Sequence, residues 1–427
     1  MNAIGGVALL VRRSLHQHAF STTITVLAVA LGSGLVVSVF SIQEQALRAF
    51  TGGAMGFDAV LGARGSQLQL VLNSIYHLET SPGNIPWKVY EEVRKRRYVA
   101  EAIPMAVGDN YFGYRIVGTT SEMLTRTEPD GPHYFHFAAG NVFDPKRREA
   151  VIGSVVAERT GLRLGSTFQP YHGLTFDPAN PDPEIHDIDY VVVGVLSPTN
   201  TPADRVIWIP IEGIFRMDGH VLRGTGKEFR AEAGQEIPDE HKEVSAVLLR
   251  FRSPQAGIML DQEVNKQGRV ATLAWPIGQT IADVFNKMGW VNRILELVAY
   301  LVIVVAAATI LASIYNTINE RRREFAILRA LGARRRTVFS AIVVEASTIA
   351  ALGSLLGYGV YAAVLAVAAV VVRQQTGVVL DVLGDGLRHP MIWQMPLIMI
   401  GLGALAGVVP ALKAYGTDVA SNLSPTT

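Results

Sequence analysis

Four apolar stretches constrain what this chain can fold into more than any other feature. A helix crossing about 30 Å of hydrocarbon needs roughly 20 predominantly apolar residues, and Thr22 to Ile42 supplies such a run without one charge. Leu297 to Tyr315 supplies a second, with Arg293 and Glu296 just ahead of it. Val338 to Val372 is longer than a bilayer requires and carries Glu345 in its first turns, so its start is expected outside the hydrocarbon or packed against another helix. Met391 to Leu412 is the fourth, with Pro396 and Pro410 near its ends. Four spans put both termini on one side.

Which side follows from the short loops, because Lys and Arg accumulate in cytoplasmic loops near spans while long translocated segments escape that rule. Arg12 and Arg13 precede the first span; Arg321, Arg322, Arg323, Arg329, Arg334, Arg335 and Arg336 separate the second from the third; Lys413 follows the fourth. The termini and the arginine-rich segment are therefore expected in the cytoplasm. The expected organisation is an amphipathic cytoplasmic helix (1–20), a first span (21–42), a large external domain (43–292), a second span (293–316), a cytoplasmic coupling helix (317–337), a third span (338–372), a short external loop (373–390), a fourth span (391–412) and a cytoplasmic tail (413–427). At the N-terminus, Ile4 to Val11 precedes the arginines, the reverse of a cleaved export signal. That favours an interfacial helix leading into an uncleaved span over a twin-arginine export signal.

The spans do not account for the whole chain. Of 427 residues 49% are hydrophobic and 18% charged, too apolar for a soluble protein and too polar to lie wholly in lipid. The external segment has the composition of a folded domain, so the fold class is a membrane protein of mixed α and β structure, with four transmembrane helices and a large extracytoplasmic α/β domain between the first two. Pro86 to Arg97 looks helical, with Asn84 as a cap candidate, and Ser154 to Thr160 is a short helix closed by Gly161. Tyr111 to Gly118, Tyr190 to Leu196, Arg205 to Ile209 and Val244 to Phe251 are rich in β-branched and aromatic residues and read as strands.

Several chemistries are excluded at this level. The chain has no cysteine, so disulfides, thiol catalysis and thiolate metal sites are ruled out. Lys plus Arg (38) nearly balances Asp plus Glu (37), which leaves no bulk attraction to nucleic acid. The closest approach to a phosphate-cradling loop, Gly224 to Lys227, is followed by Glu228 where a magnesium-binding Ser or Thr belongs. An ATPase activity is accordingly not expected on this chain. His133 and His136 are three apart, and His172, Asp177, Asp182, Glu184, His186, Asp187 and Asp189 form an acidic cluster broken by prolines. Composition without geometry does not identify a metal, so these are read as a solvated loop and no metal is assigned. Gly62 to Ser66 is read as a tight connection after a strand rather than an anion loop. No catalytic, cofactor-binding or metal residue is assigned anywhere.

The strongest signal lies between the second and third spans. In Thr317 to Arg336, Phe325, Leu328 and Leu331 share one face at helical spacing while arginines occupy the others, and Gly332 is placed to end the helix. A partner docked on that apolar face would move both flanking spans together.

These residues resemble the FtsX-like and MacB-like ABC transporter permeases, the type VII group, across nearly the whole chain. The cytoplasmic pattern appears as Arg323-Glu324, then Ile327-Leu328-Arg329-Ala330-Leu331-Gly332-Ala333; Phe325-Ala326 departs from the usual small apolar pair. Glu345-Ala346 resembles the acidic position early in the third span, and Pro410-Ala411 with Ala420 to Leu423 resembles the C-terminal tail. Val151 to Gly153, Ala157 to Gly165, and Val191 to Leu196 followed by Asp204 to Pro210 resemble the external core domain. The resemblance implies a permease chain, a homodimer with a second copy, driven by a separate cytoplasmic ABC ATPase that carries the ATP and Mg, in a bacterial inner membrane with both termini cytoplasmic. It implies mechanotransmission: ATP-driven motion passes through the spans to the external domain, which moves or extracts a substrate, with membrane lipids and a periplasmic binding or adaptor protein as further partners. A non-transporting regulator that activates a periplasmic hydrolase is the alternative. The ATPase-coupling residues it implies are Arg323, Glu324, Phe325, Leu328, Arg329, Leu331 and Gly332, with Glu345 as a polar contact between helices or a partner for nearby arginines. The spans themselves favour a lever over a channel. They are glycine-rich but hold hardly any ionisable group beyond Glu345, and a polar path would keep more.

Overall fold

The computed structural model describes residues 3–52, 55–128, 131–177, 179–180, 184–217, 220–232, 235–287, 289–376 and 389–415. The expected 373–390 loop lies mostly outside these residues, as do Asp182 and the tail residues Ala420 to Leu423. The chain divides into a helical unit (1–46, 288–371 and 380–427) and a sheet-based unit (47–287 with 372–379).

From the N-terminus the chain forms α1 (Ala3–Gln17) and α2 (Ala19–Gly52), then β1 (Ala59–Ala63), α3 (Gln67–Ser74), β2 (Ile85–Pro86) and α4 (Trp87–Arg94). There follow β3 (Val99–Tyr111), β4 (Tyr114–Thr119), α5 (Glu122–Thr125), β5 (Phe137–Gly140), β6 (Glu149–Ile152) and α6 (Ser154–Thr160). Next come β7 (Thr167–Phe168), β8 (Tyr171–His172), β9 (Tyr190–Leu196), β10 (Val206–Pro210) and α7 (Ile211–Phe215). The sheet-based unit closes with β11 (Glu243–Val244), β12 (Ala246–Phe251), α8 (Pro254–Asp261), β13 (Ala271–Ala274) and α9 (Ile277–Lys287). The remaining helices are α10 (Gly289–Glu320), α11 (Arg322–Ala330), α12 (Arg335–Thr376) and α13 (Pro390–Tyr415).

Among the described residues, four helices are long and apolar enough to cross a membrane: Ala19–Arg48, Gly289–Glu320, Arg335–Thr376 and Pro390–Tyr415. Lipid offers no hydrophobic drive between helices, so they associate by close packing, which small residues permit. On α12, Gly353 and Gly357 are four residues apart and face α2. A methyl group added at Gly357 would lie 2.2 Å from Ser33 Oγ, and one at Gly34 would lie 2.5 Å from Gly357 O. On α13, Gly403 and Gly407 repeat the spacing toward α12, where an added methyl would meet the Ala346 carbonyl oxygen at 2.9 Å and the Ala346 Cβ at 2.9 Å respectively. Helix α12 thus meets α2 and α13 at close range at these glycines, short side chains lying directly on bare backbone, while α10 packs against α13. Gly359 and Gly401 face open space and play no such part.

The sheet-based unit is built on one mixed sheet, in the order β13-β1-β12-β3-β4-β10-β6-β9-β5, with β7 on β9 and β8 on β3. The β4–β10 and β6–β9 pairs are parallel and the others antiparallel. Every residue of β10 is buried, as suits a central strand covered on both faces, whereas β9 alternates. One face buries Tyr90, Tyr190, Ile207 and Leu249; the other buries Trp208, Leu70, Met105 and Leu248.

Local chemistry explains where the observed elements differ from those expected. Tyr111 to Gly118 is not one strand: Phe112 (φ 48°) and Gly113 (φ 81°) reverse the chain between β3 and β4. Two consecutive positive φ values make the tight hairpin turn that matches strand twist, and Asn110 Oδ1 accepts from Gly113 N at 3.0 Å. Asn84 does not cap α4, which starts after Pro86 without a side-chain cap. Its amide is taken by Glu243 Oε1 and Ser245 Oγ, both at 2.9 Å. Gly62 to Ser66 does connect a strand to a helix, with Ser66 Oγ accepting from Gln69 N at the start of α3.

Candidate functional site

The arginine-rich segment between the second and third spans is an elbow followed by a short helix. Arg321 leaves the helical dihedrals (φ −97°, ψ 12°) between α10 and α11. Arg321 N donates to Thr317 O and Phe325 N to Arg321 O, each at 3.1 Å. These two bonds flank the break, one closing the last turn of α10 and the other opening the first of α11.

Helix α11 stops for a reason visible in the sequence. Leu331 is its C-cap, and Gly332 follows with φ 96°, a conformation costly for a residue with a Cβ. Gly332 N donates to Arg329 O and Ala333 N to Leu328 O, both at 3.0 Å. That bonding pattern is a Schellman stop, so the Arg-Ala-Leu-Gly-Ala run encodes a helix terminus.

Arg321 turns its side chain inward. Its Nη1 donates to Ser14 Oγ at 2.5 Å and lies 3.5 Å from Glu345 Oε2, while Ser14 Oγ donates to Glu345 Oε1 at 2.5 Å. The serine hydroxyl thus accepts from the guanidinium and gives its one proton to the carboxylate. Arg321 Nε donates to Glu324 Oε2 at 3.1 Å, and the guanidinium stands 5.0 Å above the Phe325 ring. Gln17 Nε2 reaches Glu324 Oε1 at 3.4 Å, and His18 Nδ1 reaches Glu320 at 3.5 Å. Three pieces of chain, α1, the α10–α11 elbow and α12, are tied at this point. Ser14, Arg321 and Glu345 are all buried, and removing one partner of a buried ion pair costs about 3–5 kcal/mol.

The residues expected to couple to an ATPase divide into two groups. Glu324, Phe325 and Glu345 gather around Arg321, so Glu345 serves at once as an arginine partner and a contact between helices. Arg323 is exposed, Leu328 and Arg329 are half-buried, and Leu331 is 81% exposed. The single outward apolar face expected from Phe325, Leu328 and Leu331 is therefore not continuous. Phe325 is only 7% exposed, held inward beneath Arg321, while Leu331 falls at the cap, off the helical face. What remains outside is an edge made by Ile327, Leu328 and Leu331. Arg321 itself does not stand out among its neighbouring arginines in the sequence, because its partners Ser14 and Glu345 lie 307 and 24 positions away.

Comparison with known proteins places these observations. The description "MacB-like periplasmic core domain" matches residues 22–254, more than half of the chain, and "FtsX-like permease C-terminal" matches residues 296–419. Among similar proteins is the macrolide export ATP-binding/permease protein MacB of Burkholderia cenocepacia, 23% identical over 81% of this chain and 48% of that protein. The probable syringafactin export ATP-binding/permease protein SyfD of Pseudomonas syringae is 23% identical over 81% of this chain and 50% of that protein. The chain thus spans about half the length of the curated relatives it matches. The periplasmic region of MacB from Actinobacillus actinomycetemcomitans matches with a TM-score of 0.32 at 9% identity, over 55% of this chain and 94% of that structure. With both the core-domain and the permease descriptions matched in order along it, the chain belongs to the MacB-like, FtsX-like family of ABC transporter permeases.

Proposed function

We propose that this permease relays force from an ABC ATPase on a separate subunit to its external domain, which moves or extracts a substrate on the far side of the membrane. In this reading the ATPase docks on the exposed edge of α11 formed by Ile327, Leu328 and Leu331, and the termini lie on the same, cytoplasmic side of a bacterial inner membrane. The observation that carries it is the buried Ser14–Arg321–Glu345 junction. A push on α11 cannot turn the elbow without dragging α1 and α12, because the charged groups that join them have no water to replace their partners. The scarcity of ionisable groups within the spans supports a lever rather than a polar passage.

The experiment is to reconstitute the chain with the ABC ATPase that co-purifies with it and measure ATPase stimulation. Leu328→Asp and Leu331→Asp should each cut stimulation by about tenfold, as loss of a docking hot spot does, with the thermal unfolding of the permease unchanged for the exposed Leu331 variant. Undiminished stimulation in both variants refutes the docking edge.

A further inference from the structure

In the sheet-based unit, far along the sequence from the elbow, four side chains converge, of which the sequence groups only His172 and His186. Strand β3 carries an irregularity between Val107 and Asp109 in its pairing with β4, which places one extra residue at Gly108 and re-aims Asp109. A Cβ at Gly108 would lie 2.3 Å from His220 Cε1, so the glycine makes room for that ring. Strand β8 pairs with β3 in a register that sets His172 directly opposite Asp109. His186 is brought to the same place by its backbone bond to Pro170 O (2.9 Å) beside the Tyr171–Ile185 bridge. One ligand atom from each of Asp109, His172, His186 and His220 lies within 4.8 Å of every other.

The separations are those of a coordination sphere. His186 Nε2 and His220 Nε2 stand 3.1 and 3.2 Å from Asp109 Oδ1, His172 Nδ1 stands 3.3 Å from His186 Nε2, and His172 Nδ1 stands 3.8 Å from Asp109 Oδ1. Ligands about 2.0–2.1 Å from a tetrahedral centre are separated by about 3.3–3.4 Å. Hydrogen bonding alone does not satisfy the cluster. If His186 Nε2 donates its proton to Asp109, it has no lone pair for His172; if it accepts from His172, its lone pair faces the carboxylate. Asp109 is fully buried, its Oδ2 has no hydrogen-bond partner, and no Lys or Arg pairs with it among the described residues. A cation at the centre meets all four donors at once.

We propose that Asp109, His172, His186 and His220 form a tetrahedral site for a divalent first-row transition-metal ion, with Zn²⁺ the ion their three imidazoles and one carboxylate suit. With four protein ligands and no cysteine, the site binds and holds rather than activates water. Access is past His172, whose side chain is 39% exposed. His133 and His136, 6.5 Å apart as rings, gather no such set among the described residues. The inference is independent of the coupling reading.

The test uses the full chain in detergent, its purification tag removed and metal stripped, titrated with Zn²⁺ against a chromophoric chelator. One ion per chain is expected, binding at least about tenfold weaker in His172→Ala and His220→Ala, with no competition from Mg²⁺ or Ca²⁺. Because Asp109 is buried, Asp109→Asn is judged only if its circular dichroism matches wild type; the exposed His172 position keeps the test independent of folding. Co²⁺ should give the intense visible bands of a tetrahedral centre. Absence of stoichiometric binding, affinity unchanged in the His172→Ala, His220→Ala double variant, or a weak octahedral Co²⁺ spectrum would each overturn the site.

Discussion

Glu345→Gln isolates the charge at the elbow junction. Glutamine keeps the volume and still accepts from Ser14, but leaves Arg321 facing a neutral group. Breaking a buried pair costs about 3–5 kcal/mol. Here Arg321 retains Glu324 at 3.1 Å, a half-exposed partner worth at most about 1 kcal/mol, so the expected loss is about 2–4 kcal/mol. Arg321→Met should cost a similar amount, because it strands the carboxylate. The double variant Arg321→Met, Glu345→Leu removes both charges and should recover most of the loss, with a coupling energy of at least about 2 kcal/mol. Unfolding in mixed detergent micelles measures the stability, and stimulation of the reconstituted ATPase measures the relay. Stimulation should stay impaired in the apolar double variant, since greasy contacts slide where the ion pair holds one register. Single variants costing less than about 0.5 kcal/mol, or losses that add without recovery, would refute the reasoning.

Three further outcomes follow from particular residues. His77 is half-buried, its two ring nitrogens shut off from solvent with no hydrogen-bond partner; it stands edge-on to Trp208 at 5.8 Å, and desolvation, helped by Arg115, lowers its pKa to about 3. Below about pH 6.5 the unfolded chain binds a proton that the native imidazole refuses, so stability is lost as pH falls from about 6.5 toward 3. His77 has a positive φ of 55°, which Asn tolerates, so His77→Asn should flatten the pH dependence of unfolding by about 2 kcal/mol between pH 7 and 5; an unchanged profile contradicts the assignment. Gly357→Val should destabilise the helical unit by about 1–3 kcal/mol through overpacking, while Gly401→Val, facing open space, should stay within about 0.5 kcal/mol; equal effects would deny the close approach of α2 and α12. A reporter active only in the cytoplasm, inserted after Asn180, should remain silent, and activity there would reverse the proposed orientation.

The spans were legible because hydropathy over some 20 residues is a property of the segment alone, and the stop of α11 was legible because Gly332 acts on its own neighbours; its start was not, since the expected helix ran 317–337 and the break at Arg321 leaves α11 only Arg322–Ala330. Glu345 announced itself as an isolated acid in an apolar helix. Arg321 did not, since nothing local separates it from Arg322 or Arg323; only the distant Ser14 and Glu345 make it the buried one. The convergence on Asp109 did not show for the same reason. His172 and His186 were visible in one loop, but Asp109 arrives from a bulged strand and His220 from beyond α7, and the bulge at Gly108 that aims the carboxylate leaves no mark in a periodicity of two. Phe325 was misplaced because spacing assigns a face and not its direction, and the guanidinium above the ring decided that.

Helix α12 runs 42 residues, about 60 Å at 1.5 Å per residue, and at the glycine contacts both neighbours meet it with short groups only, Val29 and Ser33 from α2 and the Gly403 and Gly407 backbone from α13. A rod seated in two smooth bearings can roll or slip without any rotamer having to flip, so little elastic energy is stored along its length. Motion imposed near one end then emerges at the other nearly undiminished, and the knot of Ser14, Arg321 and Glu345 sits at the end where a crank would be fitted.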